Sequence, residues 1–225
     1  TLWYALIIIK ENFIPEQIAK IYQLGKASCI SVLTDSKFFL GSNDDLIKVK
    51  NVTDIPILRK DFIVSEYQIY ESKIIGADCI LLIAAALSEK RCKELASFAK
   101  KLGLDVLLEV HNKEEIDSHL SEAVDIVGVN NRNLHDFVTS IDTSIALAQY
   151  IPDKFVKISE SGITQAEHIV KLKKHGFQGF LIGTHFMSHT QPNQACAKLI
   201  SEVKRLERLW KLKFVGWKIL KILSR

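Results

Sequence analysis

Lys60 closes the run Pro56-Ile57-Leu58-Arg59-Lys60, and Glu109 stands inside the apolar run Asp105–Val110. A lysine at the end of an apolar strand can serve as a general acid or an electrostatic clamp. The plainer alternative is a solvated partner of Asp61. A carboxylate inside such a strand is costly unless it is paired or reactive. Facing a lysine, Glu109 would be a base, an acid when protonated, or one half of a structural ion pair. Asn130 and Glu160 end two further apolar runs, where each could hydrogen-bond substrate hydroxyls. Arg132 offers a planar fork for a carboxylate or phosphate, or faces solvent. Ser161-Gly162 and Gly183-Thr184 follow the last two runs. Glycine there lets the backbone come close to a ligand, and its amides can cradle a phosphate. Thr184-His185-Phe186-Met187 could open a short helix that assists.

The seven histidines show no metal-ligand spacing and no H-E-x-x-H, so no metal site is implied. His111, two residues after Glu109, is read as a surface or loop histidine in preference to a support for Glu109. Cys29, Cys79, Cys92 and Cys196 form no C-x-x-C pair. Small apolar cysteines in a reducing, cytoplasmic compartment suit that pattern.

These side chains need a scaffold that gathers strand ends. Eight short apolar runs read as parallel strands: Tyr4–Ile9, Cys29–Leu33, Pro56–Leu58, Cys79–Ile83, Asp105–Val110, Ile126–Val129, Phe155–Ile158 and Gly179–Ile182. Helical patterns lie over Pro15–Leu24, Ser65–Ile75, Ser88–Leu102, Asn112–Ser121, Thr143–Tyr150, Thr164–His175 and Pro192–Leu206. Eight-fold alternation favours a closed α/β cylinder, the (β/α)8 TIM barrel. An open doubly wound sheet is the lesser reading, since no G-x-G-x-x-G turn follows the first run. The whole chain of 225 residues falls within the range for one such barrel, from about 200 residues upward. In it, functional groups collect where strands end.

Apolar residues make up 48% of the chain and charged residues 25%, an ordinary globular balance. The net charge of +4 is uneven. Lys204–Arg225 holds eight Lys or Arg and one acid, Glu207, for +7. Taking that from the total leaves −3 on residues 1–203. The expected layout is therefore a barrel over 1–203 and a basic amphipathic tail or helix extension over 204–225. The acidic body gives no reason to expect nucleic-acid binding. The tail is better read as part of the last helix than as a membrane-surface helix, and its lysines exclude a span. Leu2–Ile9 is far shorter than the roughly 20 residues of a span and reads as a buried strand.

Seven segments, in order and at matching spacing, resemble indole-3-glycerol phosphate synthase, an enzyme of tryptophan biosynthesis. They are S-V-L-T-D-S-K-F-F-L-G-S (Ser31–Ser42), P-I-L-R-K-D-F-I-V (Pro56–Val64), G-A-D-C-I-L-L-I (Gly76–Ile83), L-L-E-V-H (Leu107–His111), V-N-N-R-N-L (Val129–Leu134), S-E-S-G-I (Ser159–Ile163) and L-I-G-T-H-F-M (Leu181–Met187). The likeness runs from about Glu11 to about Ile200. It implies a ring-closing carboxy-lyase without a cofactor. The substrate would be 1-(2-carboxyphenylamino)-1-deoxyribulose 5-phosphate. The products would be indole-3-glycerol phosphate, carbon dioxide and water. By that likeness Lys60 is the general acid for ring closure and decarboxylation, and Glu109 the acid/base of the later dehydration. Asn130, Arg132 and Glu160 position the substrate. Ser161, Gly162, Gly183 and Thr184 hold its phosphate, and Phe39 and Phe62 wall the anthranilate ring.

The sequence departs from this family in its first strand. A Glu-x-Lys pair and a Ser-Pro-Ser loop are expected there, but T-L-W-Y-A-L-I-I-I-K holds no Glu, Ser or Pro. The family's helical segment ahead of the barrel has no counterpart in this sequence, and the tail is longer and more basic. The departures lead to an expectation of weak or no turnover. The competing reading is an inactive barrel that binds a phosphorylated ligand or a partner subunit. An isomerase of the phosphoribosylanthranilate type fits less well, because Cys29 begins a strand instead of ending one.

Overall fold

The computed structural model describes residues 14–133 and 137–213. The strand expected over Tyr4–Ile9 and the tail beyond Lys213 lie outside them. Short β/α units succeed one another: α1 (Pro15–Leu24), β1 (Ile30–Leu33), α2 (Asn43–Lys50), β2 (Ile57–Lys60), α3 (Glu66–Ile74), β3 (Cys79–Ile83), α4 (Glu89–Lys101) and β4 (Asp105–Val110). They continue through α5 (Lys113–His119), β5 (Ile126–Asn130), α6 (Asp142–Leu147), β6 (Val156–Glu160), α7 (Ala166–Lys174), β7 (Gly179–Leu181), α8 (Thr184–Met187) and α9 (Pro192–Lys213). Among the described residues seven parallel strands form one sheet in chain order.

The sheet is rolled into a barrel. Lys60 on β2 reaches Glu160 on β6 at 3.1 Å. Parallel neighbours lie about 4.8 Å apart, so in a flat sheet strands four places apart would be separated by roughly 19 Å. The helical layer closes as well. Tyr22 of α1 packs on Phe186 of α8, with ring centroids 6.2 Å apart. Cys196 of α9 contacts the Gly25 carbonyl just after α1.

Strand alternation sorts side chains into two cores. Ile80, Leu82, Val106, Leu108, Val127 and Val129 pack outward under the helices. Leu58, Leu81, Ile83, Leu107 and Ile158 fill the lumen. Ser42, Ser88 and Asn112 cap α2, α4 and α5 through their side-chain oxygens.

The sequence reading contains no helix between β1 and β2, whereas the structure has α2. Only Leu46 and Val49 of its eight residues are buried, too few to mark an apolar stripe. Strands β2, β5 and β6 also run one or two residues past their apolar runs. Lys60, Asn130 and Glu160 are thus the last paired residues of their strands, because ladder bonds need only backbone. Helix α9 passes unbroken through Val203 and Lys204. There Glu207 pairs with Lys173 of α7. No helix of the described residues is long and apolar enough to cross a membrane.

The packed lumen makes a prediction. Leu81 is fully buried, so Leu81→Ala should destabilise the chain by about 2–5 kcal/mol, measured by urea unfolding. A cost near zero would mean that the lumen is not close-packed.

Candidate active site

Lys60, Glu109, Asn130 and Glu160 all sit on the lumen side of their strands, at or next to the C-terminal ends. Their alternation with outward residues such as Leu108, Val129 and Ser159 places them there. The Lys60 ammonium lies 3.1 Å from Glu109 Oε2 and 3.1 Å from Glu160 Oε2. Asn130 Nδ2 donates to Glu109 Oε1 at 3.1 Å. The Lys60 side chain keeps 22% of its exposure, Glu109 7% and Glu160 4%. The Lys60 side chain is therefore more open than either carboxyl it pairs with.

Two carboxyls sharing one ammonium cannot be equivalent. Burial, reinforced by the neighbouring Glu109, pushes Glu160 from the ordinary 4.5 up to about 7 against the pull of Lys60. Burial also opposes ionisation of Glu109, but Lys60, Asn130 and His111 together hold it below the usual range. Burial works against the charge on Lys60 too, yet Glu160 and Glu109 outweigh it and keep the ammonium protonated. The site thus contains a proton donor, an anionic base and a carboxyl that exchanges a proton near neutrality.

The remaining expected residues surround this cluster. Ser161 and Gly162 follow Glu160 in a tight turn with φ of 67° and 71°. The Ser161 carbonyl accepts from Asn131 Nδ2 at 2.9 Å. A Cβ at Gly162 would meet Thr139 Cγ2 at 2.4 Å, so only glycine fits. Gly183 and Thr184 lie at the surface, and Thr184 begins α8. Strand β7 leads to them, and Leu181 pairs with Glu160 of β6, which sets the two small-residue turns side by side. Phe39 stacks on Phe62 with centroids 5.2 Å apart and planes 10° apart. Phe38 meets Phe62 edge-on at 5.3 Å. Arg132 is exposed, and its backbone N–H donates to Asn130 Oδ1 at 3.0 Å. The structure gives its guanidinium no place in the Lys60 cluster. Among the described residues no group of three or more His, Cys, Asp or Glu could hold a metal.

Three supports escape the sequence reading. Gly128 leaves room for Glu160: a Cβ there would lie 2.2 Å from its Oε1. A glycine within an apolar strand was the available signal. Asn131 ties the strand ends together by bonds to Ser159, Ser144 and the Ser161 carbonyl. His111 is largely buried, with Nε2 3.6 Å from Glu109 Oε1. It lies in the loop between β4 and α5, but turned inward instead of toward solvent.

Comparison with known proteins gives the chain a family. The family model described as indole-3-glycerol phosphate synthase matches residues 6–199. The chain belongs to that family. The indole-3-glycerol phosphate synthase of Bacteroides thetaiotaomicron is 45% identical over 196 residues, 87% of this chain and 75% of that protein. Its counterpart from Chromobacterium violaceum is 44% identical over 192 residues, 85% of this chain and 72% of that one. Solved structures share the barrel at much lower identity. KGPDC from Streptococcus mutans has a TM-score of 0.66 at 11% identity, covering 85% of this chain and 93% of that one. Thiamine phosphate pyrophosphorylase from Pyrococcus furiosus has 0.65 at 14%, covering 85% and 90%. At such identities the likeness is one of fold alone.

Two outcomes follow for this family member. Glu160 keeps in the folded chain a proton that the unfolded chain gives up. The contribution of Glu160 to stability should therefore fall as pH rises from about 4.5 to about 7. Glu160→Gln should flatten that fall in urea titrations, and an unchanged slope would remove Glu160 as its source. Gly128→Ala should displace the Glu160 carboxyl and lower ligand affinity at least about tenfold, measured by calorimetric titration with indole-3-glycerol phosphate.

Proposed function

We propose that the chain closes the indole ring of 1-(2-carboxyphenylamino)-1-deoxyribulose 5-phosphate, giving indole-3-glycerol phosphate, carbon dioxide and water in tryptophan biosynthesis. The observation that carries this reading is the Lys60 ammonium held between Glu109 and Glu160 at the lumen rim. Family membership supports it independently.

Lys60 has a proton to give as the aromatic carbon attacks the substrate carbonyl. It is held charged by two carboxyls, and its side chain is more open than either of them. Glu109, held ionised, then accepts a proton and returns one to the departing hydroxyl during dehydration. Asn130 and Glu160 orient the substrate, and Arg132 reaches it from the exposed rim. Ser161, Gly162, Gly183 and Thr184 receive the phosphate on their paired turns. The stacked Phe39 and Phe62 wall the anthranilate ring. The four unpaired cysteines suit a reducing cytoplasm.

Losing one charge-stabilising donor such as Lys60 typically costs about 10²–10³-fold in kcat. The inactive, ligand-binding barrel is the reading that gains if turnover is absent.

Indole fluorescence measured at high enzyme concentration tests this. Product formation is expected, and Lys60→Ala should lower kcat/KM by about 10²–10⁴-fold. Calorimetric binding of indole-3-glycerol phosphate with no turnover would favour the inactive barrel. Neither binding nor turnover would end both readings.

A further inference from the structure

His111 is not used in the chemistry above, yet its surroundings are specific. It follows β4 directly and precedes the Asn112 cap of α5. Its ring is 11% exposed and points one nitrogen at each of two carboxylates. Nε2 lies 3.6 Å from Glu109 Oε1, and Nδ1 lies 3.4 Å from Glu115 Oε2. A neutral imidazole has one N–H and one lone pair. Facing two carboxylates, the neutral ring would turn its lone pair toward a negative oxygen. The imidazolium puts its positive charge within ion-pair distance of both, although neither ring nitrogen makes a hydrogen bond among the described residues.

The far carboxylate is anchored separately from the ring. Glu115 Oε2 accepts from the His111 backbone N–H at 2.7 Å, and its Oε1 accepts from Asn112 Nδ2 at 3.1 Å. Its backbone N–H in turn donates to Asn112 Oδ1 at 2.8 Å. The charged groups facing the ring are therefore Glu109 from β4, Glu115 from α5 and Glu160 from β6. Lys60 of β2 lies behind the first and third of these. Three acids against one other cation favour a charged ring, although its burial works the other way.

The consequence falls on the two lumen carboxyls. Glu109 meets Lys60 at Oε2, and Asn130 and His111 at Oε1. Glu160 meets Lys60 at Oε2, while its Oε1 is buried against Gly128 without a hydrogen-bond partner among the described residues. We propose that His111 is a positioning residue: held as an imidazolium between Glu109 and Glu115, it keeps Glu109 ionised and leaves to Glu160 any proton the two share. This rests on the enzymatic role assigned to Glu109 above. The charge arrangement itself is measurable without turnover.

The test uses the full chain. Nitrogen-15 spectra of the imidazole rings across pH 5–9 identify His111 by its loss in His111→Asn. Its midpoint should lie above the ordinary 6.5, and Glu115→Gln should lower it by about one pH unit. Carbon-13 titration of the Glu109 carboxyl should give a midpoint about one unit higher in His111→Asn than in the parent chain. The acid limb of kcat/KM should move up with it. A ring neutral at pH 7, or a Glu109 midpoint indifferent to His111→Asn, overturns the proposal. If the parent chain forms no indole product, the enzymatic reading fails while the two spectroscopic titrations still decide the place of His111. Should His111→Asn fail to fold, Glu115→Gln decides through the Glu109 midpoint, which must rise as the ring loses its charge.

Discussion

One ammonium bridging two buried carboxyls from different walls of the lumen is the constraint around which this barrel is organised. Lys60, Glu109 and Glu160 come from β2, β4 and β6, and only a rolled sheet brings them within 3.1 Å of a shared nitrogen. Removing one partner from such a group leaves an uncompensated charge in a low dielectric, typically costing about 3–5 kcal/mol. The apolar layer of Leu58, Leu81, Leu107 and Ile158 sits in the same lumen. It makes the environment poor in water, so the charges interact more strongly than they would in solvent.

A second set of polar contacts holds the strand ends from outside the lumen. Arg59, one residue before Lys60, points outward and is 3% exposed. It binds Asp61, Glu71 and Thr34, while Thr34 itself donates to Asp61. That network joins the end of β1 to the end of β2 and to α3. On the other side Asn131, Ser144 and Ser159 link β5, α6 and β6. Inward chemistry and outward support thus alternate residue by residue along the same strands, as the pleat requires.

The expected site was legible where residue type conflicted with its surroundings. Lys60 and Glu109 stand out because charged side chains interrupt apolar runs, and burial of such groups needs an explanation. The paired Ser-Gly and Gly-Thr ends were visible for a similar reason. Residues whose part depends on distance across the barrel carried no such mark. Gly128 matters only because Glu160 occupies the space where its Cβ would stand. His111 resembled a loop histidine until β4 and α5 enclosed it between two carboxylates. Arg132 was legible as a phosphate or carboxylate fork or as a solvent-facing residue, and it stands exposed at the rim with its backbone bound to Asn130.

Local periodicity and composition determined the alternation of strands and helices and the parallel sheet. Those features follow from short-range sterics and from which faces must leave water. The short helix α2 and the extra strand residues at Lys60, Asn130 and Glu160 were decided by backbone pairing and packing, which side-chain pattern does not report. Tertiary structure alone decided which carboxyl is held ionised and which carries the proton. A carboxyl's protonation depends on burial and on charges brought close in space, and Lys60 and Glu160 are a hundred residues apart in the chain.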